Sequence, residues 1–477
     1  MERRAFLHST AAGAAASVVG CQTGRTNSHQ PNIVVMLCDD LGYGDLQNYG
    51  HPHILTPNLN KLAGDGVRLT DCYAAAPVCS PARAGMLTGR TPNRCGVYDW
   101  IPGKSPMHLP AEEVTIAKLL QGAGYQTCHA GKWHCNGFFN DAQHPQPGDH
   151  GFDHWFSTQN NATPSHHNPK NFVRNGEPVG PLEGYSSPII ADEAVQWLST
   201  RNADAPFALF VWFHSPHEPV ASAEEFVEPY REAAESEKQA EYFGNVAQTD
   251  AAVGTILQAL DNTNLRDDTL VLFTSDNGPE TLNRYPNASR SWGSPGSLRG
   301  MKLHMYEGGI RVPGIVRWPG VVPAGTESNE PFCGTDLLPT LCGITGTDIP
   351  NDRPIDGSDA RAAWLGQRVE REMPLYWQYY NALGGPKVAM RDGDWKILAH
   401  CSHNELFGTG FSRANVNATM QRILDMQPES YELYNLRDDM AETRDRSADE
   451  PERLQRMASQ LRATYAAVQS EGPRWSV

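Results

Sequence analysis

The chain has 477 residues, a formal net charge of −16 and a hydrophobic fraction of 39%. This length suggests two to three domains, and the composition is that of an ordinary globular protein. The negative charge argues against a nucleic-acid-binding protein, which usually needs a basic face. It does not exclude an anionic substrate, because a local cluster of lysine, arginine and metal can override the overall charge.

The first 21 residues differ in composition from the rest of the chain. Arg3 and Arg4 precede a small, apolar run from Ala11 to Val19, which is too short to span a bilayer and is typical of an export signal. The arginine pair resembles a twin-arginine signal, and the segment ending at Cys21 resembles a lipobox. A plain signal peptide with an incidental cysteine is the alternative. We expect residues 1–21 to engage the export machinery and the protein to be periplasmic or at the cell surface. Membrane contact would be made only through a lipid on Cys21.

Strands and helices alternate over the following 250 residues. Strands are predicted at 32–37, 125–130, 207–213 and 269–274, and helices at 56–63, 114–123, 189–199 and 243–260. This alternation indicates a parallel sheet covered by helices on both faces.

The pattern changes after about residue 370. Short strands are predicted at 387–391, 395–398 and 431–435, followed by a final helix at 454–466. We therefore predict a catalytic domain at residues 30–370 and a small α+β domain at residues 371–477.

Reactive side chains follow four of the predicted strands: Asp39 and Asp40, Lys132 and His134, His214 and His217, and Asp276 and Asn277. Ligands of such sheets bind beyond the carboxyl ends of the strands, so four polar strand ends indicate one site. Carboxylate and amide oxygens favour Ca²⁺ or Mg²⁺ over zinc. The alternative for an adjacent acidic pair is a turn or a helix cap.

A further motif is Cys79-Ser-Pro81-Ala-Arg83. Pro81 can start a helix, which places Cys79 at the positive end of the helix dipole, where backbone N–H groups stabilise an anion. Arg83 lies one turn further on and can face back toward Cys79. Taken alone, a buried structural cysteine before a helix explains the motif equally well.

The motif continues to Leu87-Thr-Gly-Arg90, and the whole resembles the signature of type I sulfatases of the alkaline phosphatase superfamily. The resemblance runs in order from about residue 31 to residue 445 and extends to bacterial arylsulfatases and N-acetylgalactosamine-6-sulfatase. Its other matching segments are 31–45, 56–59, 131–134, 275–278, 302–309 and 432–436. It implies an α/β fold with a large mixed, mostly parallel sheet sandwiched by helices and a small C-terminal antiparallel sheet plus helix.

The resemblance also implies a chemical role for Cys79. A maturation enzyme would oxidise it to formylglycine, an aldehyde that forms a hydrate in water. One hydroxyl of the hydrate would attack sulfur, and the other would then expel sulfate. Covalent catalysis of this kind divides one difficult step into two easier ones. Because twin-arginine export carries folded proteins, this modification would precede folding in the cytoplasm. One Ca²⁺, with Mg²⁺ less favoured, would be held by the modified Cys79 and by four further ligands: Asp39, Asp40, Asp276 and Asn277.

The remaining roles follow from the same resemblance. Lys132 and Lys302 would hold the sulfate oxygens, and Arg83 would support the nucleophile. His134 would help to deprotonate the hydrate, and His217 would protonate the leaving alcohol, a task that suits histidine near neutral pH.

The substrate is suggested by a polar loop at residues 160–175, similar to loops of N-acetylgalactosamine-6-sulfatase-like enzymes. His166, His167 and Arg174 in this loop, together with His214, are candidates for binding a sulfated saccharide. An ordinary surface loop and a structural histidine are the alternatives. We therefore predict a sulfatase acting on sulfated carbohydrates. The alternatives are a formylglycine-dependent phosphodiesterase or phosphonate monoester hydrolase, and a non-catalytic glycan-binding lipoprotein.

Overall fold

A computed structural model of the protein describes residues 30–281, 289–403, 411–412 and 414–476. The predicted export signal and Cys21 lie outside the described residues. The chain from Pro31 onward forms one compact unit. The predicted domain boundary at residue 370 stays a prediction. None of the described helices is both long enough and apolar enough to cross a membrane.

The strands within the described ranges are β1 Asn32–Asp39, β2 Val67–Leu69, β3 Cys72–Tyr73, β4 Gln126–Lys132, β5 His154–Thr158, β6 Val173–Arg174, β7 Glu177–Pro178, β8 Phe207–Pro216, β9 Thr269–Ser275, β10 Gly314–Arg317, β11 Thr326–Ser328, β12 Phe332–Cys333, β13 Leu375–Gln378, β14 Pro386–Asp392, β15 Trp395–Cys401 and β16 Pro428–Asn435. The helices there are α1 Pro57–Gly64, α2 Cys79–Thr88, α3 Ile116–Gly122, α4 Ser186–Thr200, α5 Glu224–Val227, α6 Glu237–Asn262, α7 Glu307–Ile310, α8 Leu337–Thr345, α9 Val416–Asp425 and α10 Pro451–Glu471.

The central sheet has the strand order β11-β2-β10-β9-β1-β8-β4-β5-β6-β7. Strands β9, β1, β8, β4 and β5 are mutually parallel, and β10 runs antiparallel to β9. Successive β1 side chains pack into different apolar cores, Val35 into one and Val34 into the other. The sheet is therefore covered on both faces, as its apolar strands require. The predicted mixed, mostly parallel sheet is confirmed.

The C-terminal region forms a second sheet in the antiparallel order β13-β14-β15-β16, followed by the long helix α10. This part of the predicted fold is also confirmed. Several elements, among them strand β13 and helices α8 and α9, were not predicted. Helix α6 begins six residues before the predicted start at residue 243, because Ser236 caps it by accepting a hydrogen bond from the Gln239 N–H.

A buried lysine joins this small sheet to helix α7. Lys396 of β15 lies with its Nζ 2.9 Å from Glu307 Oε1 and 2.9 Å from Glu442 Oε1, and all three side chains are buried. The Glu307 N–H also donates to Glu442 Oε2 at 2.6 Å. Glu307 opens α7, five residues after Lys302, so this ionic contact anchors a segment of the predicted site.

Candidate active site

The carboxyl ends of four adjacent strands carry the predicted site residues to one edge of the sheet. Asp39 ends β1 and Lys132 ends β4, while His214 lies within β8 near its end and Asp276 follows β9. Because β9, β1, β8 and β4 are consecutive and parallel, their ends lie together. The structure thus brings the four predicted groups of side chains into one place.

A glycine permits the close approach of β4 to β8 at this edge. Gly131 has φ +115°, and a Cβ atom there would lie 1.9 Å from the carbonyl oxygen of Trp212. Any side chain would push the two strands apart. The residue before Lys132 is therefore required to be glycine by packing.

Two lysines neutralise the acidic pair. Lys302 Nζ lies 2.5 Å from Asp40 Oδ1 and 2.7 Å from Asp40 Oδ2, and the Asn277 amide donates to Asp40 Oδ1 at 2.8 Å. Lys132 forms an ion pair with Asp39. Burial alone would raise the pKa of the Asp39 carboxyl, but the charge of Lys132, with smaller effects of other neighbours, holds that pKa well below its usual range.

Cys79 is the first residue of α2, and every residue of this helix is buried. Arg83, one turn later, donates from Nε and Nη2 to Asp276 Oδ2 at 3.0 and 2.7 Å, and from Nη1 to the Lys132 carbonyl at 2.8 Å. Arg83 thereby ties the helix to β9 and β4. Burial raises the pKa of the Cys79 thiol to about 11, against the opposing charges of Lys132 and Lys302. An unmodified Cys79 is therefore protonated at neutral pH and is a weak nucleophile.

Two histidines present ring nitrogens suited to proton transfer. His134 Nε2 lies 3.1 Å from the Ile101 carbonyl, and its buried Nδ1 contacts no hydrogen-bond partner among the described residues. Burial, and then the charges of Lys132 and Arg83, lower the pKa of His134 well below its usual value, so the ring is neutral. His217 Nδ1 lies 2.7 Å from the Glu218 carbonyl, which leaves Nε2 facing Asp40 Oδ2 at 3.8 Å.

The oxygen atoms of this cluster fit a hard cation. Asp39, Asp40 and His217 each offer a ligand atom, and these atoms lie within 4.8 Å of one another. Asp39 Oδ1 and Asn277 Oδ1 are buried and have no hydrogen-bond partner in the described parts of the chain. A buried acceptor without a partner costs free energy unless a ligand satisfies it. Carboxylate and amide oxygens are the donors that Ca²⁺ and Mg²⁺ prefer.

Comparison with known proteins agrees with this geometry. The family model described as "Sulfatase" matches residues 31–347, and the model "N-sulphoglucosamine sulphohydrolase, C-terminal" matches residues 301–409. The chain belongs to the sulfatase family. It is a sulfuric ester hydrolase of alkaline-phosphatase-like fold, as the motifs predicted.

Three relatives illustrate the range of this similarity. The sulfatase is 33% identical to human arylsulfatase A over 93% of this chain and 90% of the relative. It is 34% identical to N-acetylgalactosamine-6-sulfatase of Sus scrofa over 74% of this chain and 69% of the relative. The solved structure "Ps i-CgsB in complex with k-i-k-neocarrahexaose" matches with a TM-score of 0.78 at 26% identity, covering 94% of this chain and 95% of that chain.

The three predicted saccharide-binding histidines of the sulfatase fall into two groups. His214 Nε2 lies 2.7 Å from Thr158 Oγ1 at the catalytic edge, and the buried ring of His166 lies 6.2 Å from it. His167 is exposed and stacks on Tyr185, with ring centroids 4.7 Å apart. The first two histidines thus lie beside the cluster, whereas His167 packs against the segment that precedes α4.

Arg174, the fourth predicted saccharide-binding residue, pairs with a carboxylate. It donates from Nε to Glu193 Oε1 at 2.8 Å, and the same carboxylate contacts His154 at the start of β5. Arg174 therefore faces the amino-terminal end of β5, away from the catalytic edge. Its predicted contact with substrate stays a prediction, and the structure gives the side chain a second role in stability.

Replacing Glu193 with glutamine is expected to destabilise the protein at neutral pH. Burial opposes ionisation, but hydrogen bonds from Arg174 and His154 lower the pKa of Glu193 from 4.5 to about 2. The ionised carboxylate therefore stabilises the fold above pH 4.5, and this stabilisation is lost as the pH falls toward 2. After solvent screening we expect a loss of about 1 kcal/mol in the free energy of unfolding at pH 7. Urea denaturation at several pH values measures it.

Arg174→Gln is the matched variant for this test. We expect the same loss of stability at pH 7 and an unchanged KM for sulfate esters. A higher KM without loss of stability would instead assign Arg174 to the substrate.

Several contacts around the cluster were not predicted from the sequence. The loop at residues 99–101 touches both Ser80 and His134, and the segment at residues 379–383 adjoins Leu303. These contacts join parts of the chain that are far apart in sequence. No local motif predicts these contacts, because tyrosine, asparagine and tryptophan are also common in ordinary cores and loops.

Proposed function

We propose that this sulfatase hydrolyses sulfate esters of carbohydrates, using formylglycine derived from Cys79 and one bound divalent cation, Ca²⁺ in preference to Mg²⁺. The observation that carries the proposal is the position of Cys79, at the start of a buried helix and beside an ionic cluster of carboxylates and lysines. The carbohydrate substrate is supported by two similar proteins. One is named N-acetylgalactosamine-6-sulfatase, and the other was solved with a neocarrahexaose.

The charges of the cluster support a divalent cation. The carboxylates of Asp39, Asp40 and Asp276 are ion-paired with three cationic side chains, Arg83, Lys132 and Lys302. Glu280 adds a further buried carboxyl group, with its Oε2 3.8 Å from Lys302 Nζ. The side chains alone therefore offer no net positive charge to attract an anionic ester. Asp39, Asp40, Asp276, Asn277 and the modified Cys79 would hold the ion. When bound, the ion supplies positive charge that attracts the ester and polarises its oxygens.

The high pKa of the thiol explains why a modified nucleophile is needed. A thiol with a pKa of about 11 is almost entirely protonated at pH 7. The hydrate of formylglycine supplies one hydroxyl to form the bond to sulfur as the ester oxygen leaves, and a second hydroxyl whose deprotonation reforms the aldehyde and releases sulfate. The site then returns to its starting state by addition of water.

The surrounding side chains move protons and hold charge. Neutral His134 can accept a proton through its unpartnered Nδ1. His217 can deliver a proton from Nε2 to the leaving alcohol, because its Nδ1 is held at the Glu218 carbonyl. The ammonium groups of Lys132 and Lys302 are ion-paired with Asp39 and Asp40, and they are positioned to hold sulfate oxygens.

The burial of α2 bears on maturation. Because all of its residues are buried, a modifying enzyme reaches Cys79 only in an unfolded chain. We propose that a formylglycine-generating enzyme acts before folding and that the export machinery then carries the mature protein to the periplasm or cell surface.

The test of this function is desulfation of defined sulfated mono- and oligosaccharides by protein co-expressed with a maturation enzyme. We expect sulfate release, loss of most activity after chelation, and recovery with Ca²⁺ greater than with Mg²⁺. Full activity of demonstrably metal-free protein would contradict the cation site. Turnover restricted to phosphodiesters or phosphonate monoesters would identify the protein as a phosphodiesterase or phosphonate monoester hydrolase. Saccharide binding without turnover would identify it as a non-catalytic glycan-binding protein.

A further inference from the structure

The loop at residues 99–101 lies between two elements of the catalytic cluster. The Ile101 N–H donates to Ser80 Oγ at 3.0 Å, next to Cys79 in α2. The Ile101 carbonyl lies 3.1 Å from His134 Nε2 and accepts from Gln159 Nε2 at 3.0 Å. The backbone that follows Trp100 is therefore fixed beside both the nucleophile and the proton acceptor.

The backbone that precedes Trp100 is fixed as well. The buried Asp99 carboxylate accepts hydrogen bonds from the Tyr379 hydroxyl at 2.7 Å, the Tyr380 hydroxyl at 2.8 Å and the Asn381 amide at 3.3 Å. It also accepts from the Trp100 N–H at 2.8 Å. Hydrogen bonds from the segment after β13 therefore hold Asp99 in place. Trp100 thus lies between two residues, Asp99 and Ile101, that are both fixed by hydrogen bonds.

Trp100 itself is partly exposed, whereas Asp99 and Ile101 are both 0% exposed. Its ring packs against the apolar cluster that contains Cys79. Among the described residues, Leu383 is the other partly exposed side chain packed on this cluster. Its N–H donates to the Leu303 carbonyl at 2.8 Å, beside Lys302. Trp100 and Leu383 are thus two partly exposed apolar side chains packed on the cluster that contains the nucleophile.

We propose that Trp100 is a specificity-determining residue, the platform on which the pyranose ring bearing the sulfate ester packs, with Leu383 as a second apolar contact. The inference rests on the proposed function. An aromatic ring held by its own backbone loses little freedom when it binds a ligand, and it offers a flat face to the C–H groups of a sugar. The charged cluster holds the sulfate, whereas these two apolar side chains contact the ring that carries it.

The test compares Trp100→Ala and Trp100→Phe with the wild-type protein on a sulfated methyl pyranoside. We expect Trp100→Ala to raise KM about tenfold, Trp100→Phe to recover most of the affinity, and kcat to change less than KM. Inorganic sulfate, used as an inhibitor, reports on the charged pocket alone, and its inhibition constant should stay unchanged. Trp395→Ala is the control, since Trp395 is half-buried on β15 beneath the Arg453 guanidinium.

Two results would overturn the assignment. An unchanged KM in Trp100→Ala would show that the sugar ring does not touch this side chain. A parallel weakening of sulfate inhibition and of KM would show that Trp100 only supports the pocket. Both results are measured against an active wild-type protein. If the wild-type protein hydrolyses no sulfate ester, the proposed function is refuted, and the role of Trp100 is refuted with it.

Discussion

Replacing Cys79 with alanine is expected to reduce kcat for sulfate esters by roughly 10⁴-fold or more, because it removes the residue that we propose as the precursor of the nucleophile. The fold should persist, since the change removes one buried atom and costs about 1 kcal/mol. Steady-state rates on a sulfated saccharide, together with urea denaturation, separate these two effects.

Cys333→Ala is the matched control, because Cys333 is also buried in the apolar cluster that contains Cys79. This variant should lose similar stability and keep its activity. Mass spectrometry of the Cys79 peptide completes the test, since active protein should carry the aldehyde in place of the thiol. Wild-type rates in Cys79→Ala, or an unmodified thiol in fully active protein, would contradict the mechanism.

Arg83→Met is expected to lower the free energy of unfolding by about 3–5 kcal/mol, the usual effect of removing one partner of a buried ion pair. The change deletes three hydrogen bonds, two to Asp276 and one to the Lys132 carbonyl. It also leaves Asp276 buried near Asp39 without its main countercharge. Urea denaturation of chelator-treated protein measures the loss, and activity should fall by about 10²–10³-fold with it.

The double variant Arg83→Met/Asp276→Asn tests the cause. Removing the unpaired carboxylate should restore part of the stability lost in Arg83→Met, while activity stays low. Equal stability of Arg83→Met and the wild type would show that the pair contributes nothing to folding.

The fold was predictable where the signal was local. Strands β1, β8 and β9 are each at least seven residues long and largely apolar, and polar residues follow them directly in the chain, so both the sheet and its catalytic edge could be inferred. Strand β10 has four residues, and a run of that length does not distinguish strand from helix. Its antiparallel direction depends on pairing with β9 and β2, which no local pattern encodes.

The site was predictable for the same reason, and its surroundings were not. Asp39 and Lys132 end strands of the sheet and Asp276 follows one, so their meeting follows from topology. The pairing of Arg174 with Glu193 joins a surface strand to α4. The polar loop at residues 160–175 is compatible with substrate binding whether or not Arg174 has such a partner. Its sequence therefore could not predict the pairing. Family resemblance supplied roles for individual residues that spacing alone left open.

The contact of Lys396 with Glu307 and Glu442 bears on how such enzymes can be recombined. The lysine comes from the small sheet, whereas Glu307 lies in the segment that carries Lys302. A chimaera that joins the large sheet of one relative to the small sheet of another inherits one side of this ionic contact without the other, unless both parents share it. The buried Glu307 carboxylate, five residues after Lys302, would then lose its lysine partner and keep Arg311 as its cationic partner. Compatible parents for exchange are therefore recognised by this charge pattern and not by overall identity.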